Sequence, residues 1–296
     1  MATGSHESHV TPADRISALR QAFPDHERLA RTLVGNFADT RHEGCAPVTG
    51  PAFLLCITPR SGSSMLSDIL GRTGSVGIAR EHFPTAPEAP LPDWLAECAS
   101  WDAMFRLLKK HALFGYFGIK GNLLQMFPLI SSGVFAGPRW IFKHIYLTRR
   151  DRVGQAISLA RAVKTNEWHS SDDPVPDPDL TFDEVVSSLH HIHTMEADWE
   201  TIFTVLQVEP LRLCYEDLIA DRSGEFERIR RHLGVRWKTD PADIVSAYQP
   251  LRQRHDPIWL RRLRDQFDPP EGMGRGPSER RTAESAAGRP PVEFIP

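Results

Sequence analysis

The chain has no long apolar run: nothing in its 296 residues approaches a bilayer span of roughly 20 consecutive apolar residues. The opening MATGSHESHVTPADR lacks the charged-then-apolar order of a secretory leader. Cysteine is scarce. The four present, Cys45, Cys56, Cys98 and Cys214, form no CxxC pair and no zinc-ligand spacing. Cys56 and Cys214 fall inside apolar runs, where a thiol acts as a small core residue. These absences predict a soluble protein of the reducing cytoplasm. An excess of one charge is missing too. With 35 basic and 38 acidic residues the formal net charge is −3, which excludes a generally basic nucleic-acid binder. Any anion site has to be local. What remains, 41% hydrophobic and 25% charged, is the mixture of an ordinary globular enzyme with a sizeable core.

Strands and helices alternate along the chain. Thr11-Pro12-Ala13-Asp14 predicts a helix start, and Asp25 predicts the cap of a second helix running through Leu29, Leu33 and Phe37. Residues 40–51 read as a linker. Ala52 to Thr58 is a short continuous apolar run, as expected of a strand buried on both faces of a parallel sheet. A turn and a helical pattern with Met65, Ile69 and Leu70 follow. A proline-rich loop covers 84–93, a helix about 94–112, a short strand 117–120 and a stronger strand 144–148. Further on, a loop covers 170–179, helix runs from Thr181 to about Val208, a strand covers 211–215 and a helix about 223–233. Residues 268–296 are poor in apolar side chains and read as a flexible tail. This order predicts an α/β three-layer sandwich with a central, mainly parallel sheet.

Two places on that sheet suit anions. The first is Pro59-Arg60-Ser61-Gly62-Ser63-Ser64, between the first buried strand and its helix. A helix N-terminus there presents free N–H groups, and Gly62 lets the backbone approach a phosphate. Ser63 and Ser64 add hydroxyls, and Arg60 adds a forked cation. The loop is not GxxxxGK[ST], because no lysine follows the glycine. The bland alternative is a serine-rich turn that caps a helix. The second place is the strand end Arg149-Arg150-Asp151. Asp151 can cap the next helix, and Ser158 lies two turns into it. Arg150 and Ser158 can clasp one phosphate; the alternative is an arginine paired with a surface acid. A ligand with separated 5′ and 3′ phosphates needs both places.

At this point a resemblance enters. TPRSGSSMLSDIL, TGSVGIAREHF, FGIKGN, IYLTRRDRVGQAISLARAVKTNEWH, LCYEDLIAD and RQRHDPIWLRRLRDQF, in that order between Phe53 and Phe267, resemble the trehalose 2-sulfotransferase family. These enzymes are carbohydrate sulfotransferases that use 3′-phosphoadenosine-5′-phosphosulfate (PAPS) and release 3′-phosphoadenosine-5′-phosphate (PAP). The resemblance implies a P-loop-like fold related to nucleotide kinases and a homodimer. It implies that Arg60, Ser61, Gly62, Ser63 and Ser64 hold the 5′-phosphosulfate. It implies that Arg150 and Ser158 hold the 3′-phosphate and that Glu81, in Arg80-Glu81-His82-Phe83, is the general base. Its domain reading is a helical extension over 1–50, a sulfotransferase domain over 51–267 and a tail over 268–296. Ile78 departs from the family, standing where the trehalose enzyme has an acid near its acceptor. So do the first 50 residues and the segments 84–93 and 171–179.

The expected reaction is in-line. A hydroxyl of a small acceptor (a carbohydrate, glycolipid or glycosylated natural product) attacks sulfur, Glu81 takes its proton, and Arg60 with the loop amides stabilises the leaving phosphate. No metal, nucleic acid or integral membrane contact is expected. His82, Phe83, Lys120 and Trp168 are candidate substrate contacts, against plainer readings as loop, surface or packing residues. His193 and Glu196 share a helix face and could suggest a metal, but the spacing is not HExxH and a solvated face is the better reading. The runs Arg228, Arg230, Arg231 and Arg261, Arg262, Arg264 read as exposed helix faces. Two rival functions stand: a small-molecule kinase on the same fold, which needs a lysine at the loop, and a non-catalytic PAP-binding protein.

Overall fold

The computed structural model describes residues 10–34, 51–84, 91–98, 100–111, 116–133, 141–168, 175–176, 178–248 and 261. Residues Met1–Gln253 form one compact unit and Arg254–Pro296 a second. The linker expected from 40, most of both proline-rich loops and the tail lie outside the described residues.

Four strands make one parallel sheet: β1 (Pro51–Ile57), β2 (Phe117–Gly121), β3 (Ile141–Thr148) and β4 (Leu211–Cys214), in the order β2-β1-β3-β4. Every residue of β1 after Pro51 is buried, as its unbroken apolar run requires. Successive side chains point to opposite faces. Ala52, Leu54 and Cys56 face a core with Phe117, Ile119, Phe142 and Tyr146, covered by Trp199 and Phe203 of α8 (Phe182–Leu206). Phe53, Leu55 and Ile57 face a second core with Ile145, Leu147 and Leu213. That core is covered by Leu66 and Ile69 of α3 (Ser63–Arg72) and by Phe226 and Ile229 of α10 (Arg222–Leu233). The result is the expected three-layer α/β arrangement. Burial pushes the Cys56 thiol far up, so it serves as core filler.

The N-terminal helices belong to this core. In α1 (Pro12–Ala22) the Thr11 hydroxyl accepts from the Asp14 N–H at 3.2 Å while the Asp14 carboxylate accepts from the Thr11 N–H at 2.9 Å. The second helix, α2 (Pro24–Val34), starts one residue before Asp25, which sits in its first turn and does not cap it. Pro24 is the reason, since its fixed φ suits the first helical position. Leu19 and Ala30 pack in the first core, where α1 and α2 lie against α6 (Leu123–Ser131).

The other departures have local causes. The single helix expected over 94–112 is two, α4 (Asp93–Ala96) and α5 (Trp101–His111). The Ser100 hydroxyl accepts from the Ala103 N–H at 3.2 Å and starts a new helix there. Helix α6 was not anticipated. It is buried almost all round, so it carries no polar stripe for periodicity to reveal. Nor was α9 (Tyr215–Ala220), a short helix directly after β4. By contrast α7 (Arg152–Thr165) begins as expected, with Asp151 accepting from the Gly154 N–H at 3.0 Å.

The strand order fixes where a ligand fits. The chain leaves β1 toward β2 on one side, whereas β3 and β4 lie on the other. Connections diverge between β1 and β3, and their C-terminal ends open a crevice there. The loop 58–62 and the corner 149–151 are those ends. No described helix is long and apolar enough to cross a membrane.

Candidate active site

The loop after β1 is held open by its backbone. Gly62, at φ 90°, is the N-cap position of α3 and offers no side-chain cap, and helix N-termini of this kind can receive anions. A Cβ on Gly62 would lie 2.3 Å from Cδ2 of Tyr215, so close packing as well as backbone angle requires glycine. Arg60 is also left-handed, at φ 63°, which costs on the order of 1 kcal/mol for a residue with a Cβ. Tertiary bonds hold that strained turn. Gln155 of α7 donates to Thr58 Oγ1 at 2.9 Å and to the Pro59 carbonyl at 2.8 Å. The Trp199 indole donates to the Ile57 carbonyl at 3.0 Å. Ser61 is fully buried beneath the loop, and its hydroxyl has no hydrogen-bond partner among the described residues. Ser63 is buried and Ser64 partly so.

Arg60 does not reach outward alone. Its Nε donates to Ser158 Oγ at 2.9 Å, and its guanidinium also donates to the Trp168 carbonyl. The Trp168 indole donates to Asn166 at 2.9 Å. That segment is pinned by Arg161, which is 4% exposed, donates to Glu167 at 2.8 Å and also donates to the Val175 carbonyl at 3.0 Å. A buried charged pair of this kind loses several kcal/mol if one partner is removed, about 3–5.

At the β3 corner the two arginines diverge. Arg149 points inward, 12% exposed. It lies 3.3 Å from Asp151 and 3.9 Å from Glu216, and its guanidinium lies 5.5 Å from the Tyr215 ring centroid. Arg150 points outward and donates to both Asp217 oxygens, at 2.8 and 2.9 Å. Glu216 accepts from the Arg150 and Asp151 backbone N–H groups at 2.8 and 3.1 Å. Burial pushes the Glu216 carboxyl up, but hydrogen bonds led by the Cys214 thiol bring it below its ordinary value. No described contact joins Arg150 to Ser158. Ser158 is bonded to Arg60, and Arg150 is paired with Asp217.

Glu81 is placed by the sheet. The Arg80 backbone adds one parallel bridge to Ile119, and its carbonyl accepts from the Lys120 N–H at 2.9 Å. The Glu81 carboxylate meets Lys120 Nζ at 3.1 Å and Gln125 Nε2 at 3.0 Å. The Lys120 ammonium, 8% exposed, also donates to Ser64 Oγ at 3.3 Å. A lysine does reach the phosphate loop, but from β2. His82 packs edge-on against Trp94, 5.1 Å between ring centroids, and burial, then the nearby Arg80 charge, lowers its pKa to about 4. Phe83 is a core residue, 3% exposed, with its ring 5.9 Å from Trp101. Its carbonyl, not its ring, is the group linked to the site, accepting from Gln125 at 3.1 Å.

The sequence reading did not name Gln125, Gln155, Tyr215 or Asp217. Gln125 carried a usable signal, since Asn122-x-x-Gln125 is a capping-box spacing. Gln155, Tyr215 and Asp217 become visible only when β3, α7 and α9 meet the loop. Among the described residues no cluster of three metal-ligating side chains occurs, and Glu196 pairs with Arg152 at 3.0 Å.

Comparison with known proteins finds similarity to sulfotransferases. Residues 134–266, which hold Arg150, Ser158 and Trp168, match the family model of the Stf0 sulphotransferases. Over that segment the chain is similar to the Stf0 sulphotransferases. It is 26% identical over 259 residues to the trehalose 2-sulfotransferase of Mycolicibacterium smegmatis, covering 72% of this chain and 94% of that protein. It is 24% identical over 256 residues to the trehalose 2-sulfotransferase of Mycobacterium tuberculosis, with the same coverage of both chains. An amide cradle and Arg60 can receive an anionic donor, and a carboxylate one lysine away can face an acceptor.

Proposed function

We propose that this sulfotransferase moves the sulfuryl group of PAPS to a hydroxyl of a small, carbohydrate-type acceptor and releases PAP. The observation that carries the reading is the Ser64–Lys120–Glu81 relay of contacts, which sets a carboxylate beside an anion cradle at the β1/β3 crevice. The cradle amides and Arg60 receive the 5′-phosphosulfate. Arg150, with Ser158, receives the 3′-phosphate once Arg150 leaves Asp217. The acceptor oxygen forms a bond to sulfur as the bond from sulfur to the 5′-phosphate oxygen breaks. The acceptor proton passes to Glu81, and the charge on the leaving phosphate is met by Arg60 and the amides. Trp168 and His82 border the acceptor side. Because Ile78 is exposed and apolar, the acceptor contact there differs from that of an enzyme with an acid at this place, so trehalose is a first probe among sugars and glycosylated compounds. The working protein is a cytoplasmic homodimer.

A second reading keeps phosphoryl transfer, because the Lys120 ammonium reaches the loop. Incubation with sulfur-labelled PAPS and, separately, γ-phosphorus-labelled ATP, each with trehalose and a panel of sugars, separates them. Label transfer from PAPS alone supports sulfuryl transfer. Transfer from ATP alone overturns it, and binding of PAP with transfer from neither donor points to a non-catalytic PAP-binding protein.

A further inference from the structure

Lys120 is an unusual lysine. It lies in a buried strand of five residues, every one of them buried, opposite Leu55 of β1. A lysine ammonium is rarely placed there unless it is paired. Its partners come from two other parts of the fold: Ser64 Oγ on the first turn of α3, at 3.3 Å, and Glu81 Oε1 on the segment beside β2, at 3.1 Å. The second carboxylate oxygen is held as well. Gln125 Nε2 donates to Glu81 Oε2 at 3.0 Å, and the orientation of that amide is not free. Its oxygen accepts from the Asn122 N–H at 3.0 Å, so its nitrogen has to face Glu81 and the Phe83 carbonyl.

We propose that Lys120 is a positioning residue, whose ammonium keeps the Glu81 carboxylate and the Ser64 hydroxyl of the anion loop in one fixed arrangement. An ammonium and an amide N–H can only donate, so both Glu81 oxygens are held as acceptors, aimed by β2 and α6. Among the described residues, charged and titratable groups near Glu81 include Lys120 on β2 and Arg80 and His82 on its own segment. The neutral donor is Gln125. The arrangement makes donor loop and base one mechanical unit. A shift of α3 on ligand entry is passed to Glu81 through a single nitrogen. The proposed rate effect rests on sulfuryl transfer with Glu81 as base; the positioning itself does not.

The test has one arm that needs no acceptor. The Glu81 carboxyl of the full chain, carbon-13 labelled and assigned with Glu81→Gln, is titrated by NMR. Removing a cation 3.1 Å away in Lys120→Met raises its midpoint by about one pH unit or more, and Lys120→Arg restores most of the shift. An unmoved midpoint in Lys120→Met overturns the proposal. Should that variant fail to fold, Gln125→Met is read the same way: a smaller upward shift supports the grip, and none overturns it. The second arm uses PAPS with trehalose as the probe acceptor. Turnover falls at least tenfold in Lys120→Met, the acid limb of the kcat profile moves up with the NMR midpoint, and PAP affinity stays within about threefold. PAP affinity falling in step with kcat overturns positioning and makes Lys120 a donor-binding group. If Glu81→Gln keeps full turnover while the Lys120→Met midpoint moves, the base reading falls and the positioning stands.

Discussion

Arg60 and Ser158 are hydrogen-bonded to each other, Nε to Oγ at 2.9 Å, although they come from opposite sides of the β1/β3 crevice. A loop arginine and a helix serine expected to serve opposite ends of one ligand thus share a bond. Variants at the two positions should be coupled. Arg60→Ala and Ser158→Ala each weaken PAP binding, and the double variant loses less than the sum, with an interaction energy of roughly 0.5–3 kcal/mol. Calorimetric titration of the four proteins checks it; strict additivity would separate the two groups.

Arg150 and Asp217 make a competition. The pair is exposed, so it contributes little to stability, yet it occupies the guanidinium proposed for the 3′-phosphate. Asp217→Asn should tighten PAP binding about two- to fivefold. Arg150→Ala should weaken PAP about 10- to 100-fold and leave adenosine 5′-phosphosulfate nearly unchanged, because only PAP carries the 3′-phosphate. Weaker PAP binding in Asp217→Asn would remove Arg150 from that role.

Gly62 answers to two constraints at once, its left-handed φ and the Tyr215 ring behind it. Gly62→Ala should lose roughly 1–3 kcal/mol of stability and lower Tm by several degrees. PAP affinity should fall at least tenfold as the cradle amides turn. A melting curve and a PAP titration on the same preparation read both. A variant equal to the parent in each would show a loop able to relax.

Glu81→Gln keeps the side chain's shape and removes its basicity. Turnover should fall by about 10²–10⁴, with PAP affinity within threefold. Rate assays at saturating PAPS beside calorimetry distinguish loss of the base from loss of the site.

Acid should destabilise the fold through two histidines held neutral by burial. The His82 pKa is lowered to about 4, as is that of His144 beside His232, against an ordinary value near 6.5. The unfolded chain therefore binds more protons between about pH 6.5 and 4. The stability is fully present above 6.5 and is lost as pH falls through that window, on the order of 3 kcal/mol per histidine. Chemical denaturation at pH 7.5, 5.5 and 4.5 measures it. His144→Gln should flatten the slope, and an unchanged slope would exclude His144 as a source.

Much of this was legible in the residues. The unbroken apolar run of β1 announced a strand with two covered faces. The Thr11–Asp14 spacing announced α1, and the strand-turn-helix pattern around Gly62 announced the start of α3. What stayed hidden was set by contacts between distant segments. Helix α6 is buried all round and left no stripe. The loop lacks a following lysine in sequence, yet Lys120, 56 residues after Ser64, supplies an ammonium across the sheet. Arg150 and Ser158 have a clasp's spacing along the chain, but the sequence did not show their partners, because α9 brings Asp217 to one and the loop brings Arg60 to the other.

Gln125 belongs to two cooperative systems through one amide. Its oxygen closes the capping box that starts α6, and its nitrogen steadies Glu81. Fraying of that first helical turn would therefore loosen the carboxylate without unfolding anything large. With Glu81 in its proposed role, stiffening α6 at this position would also reset turnover.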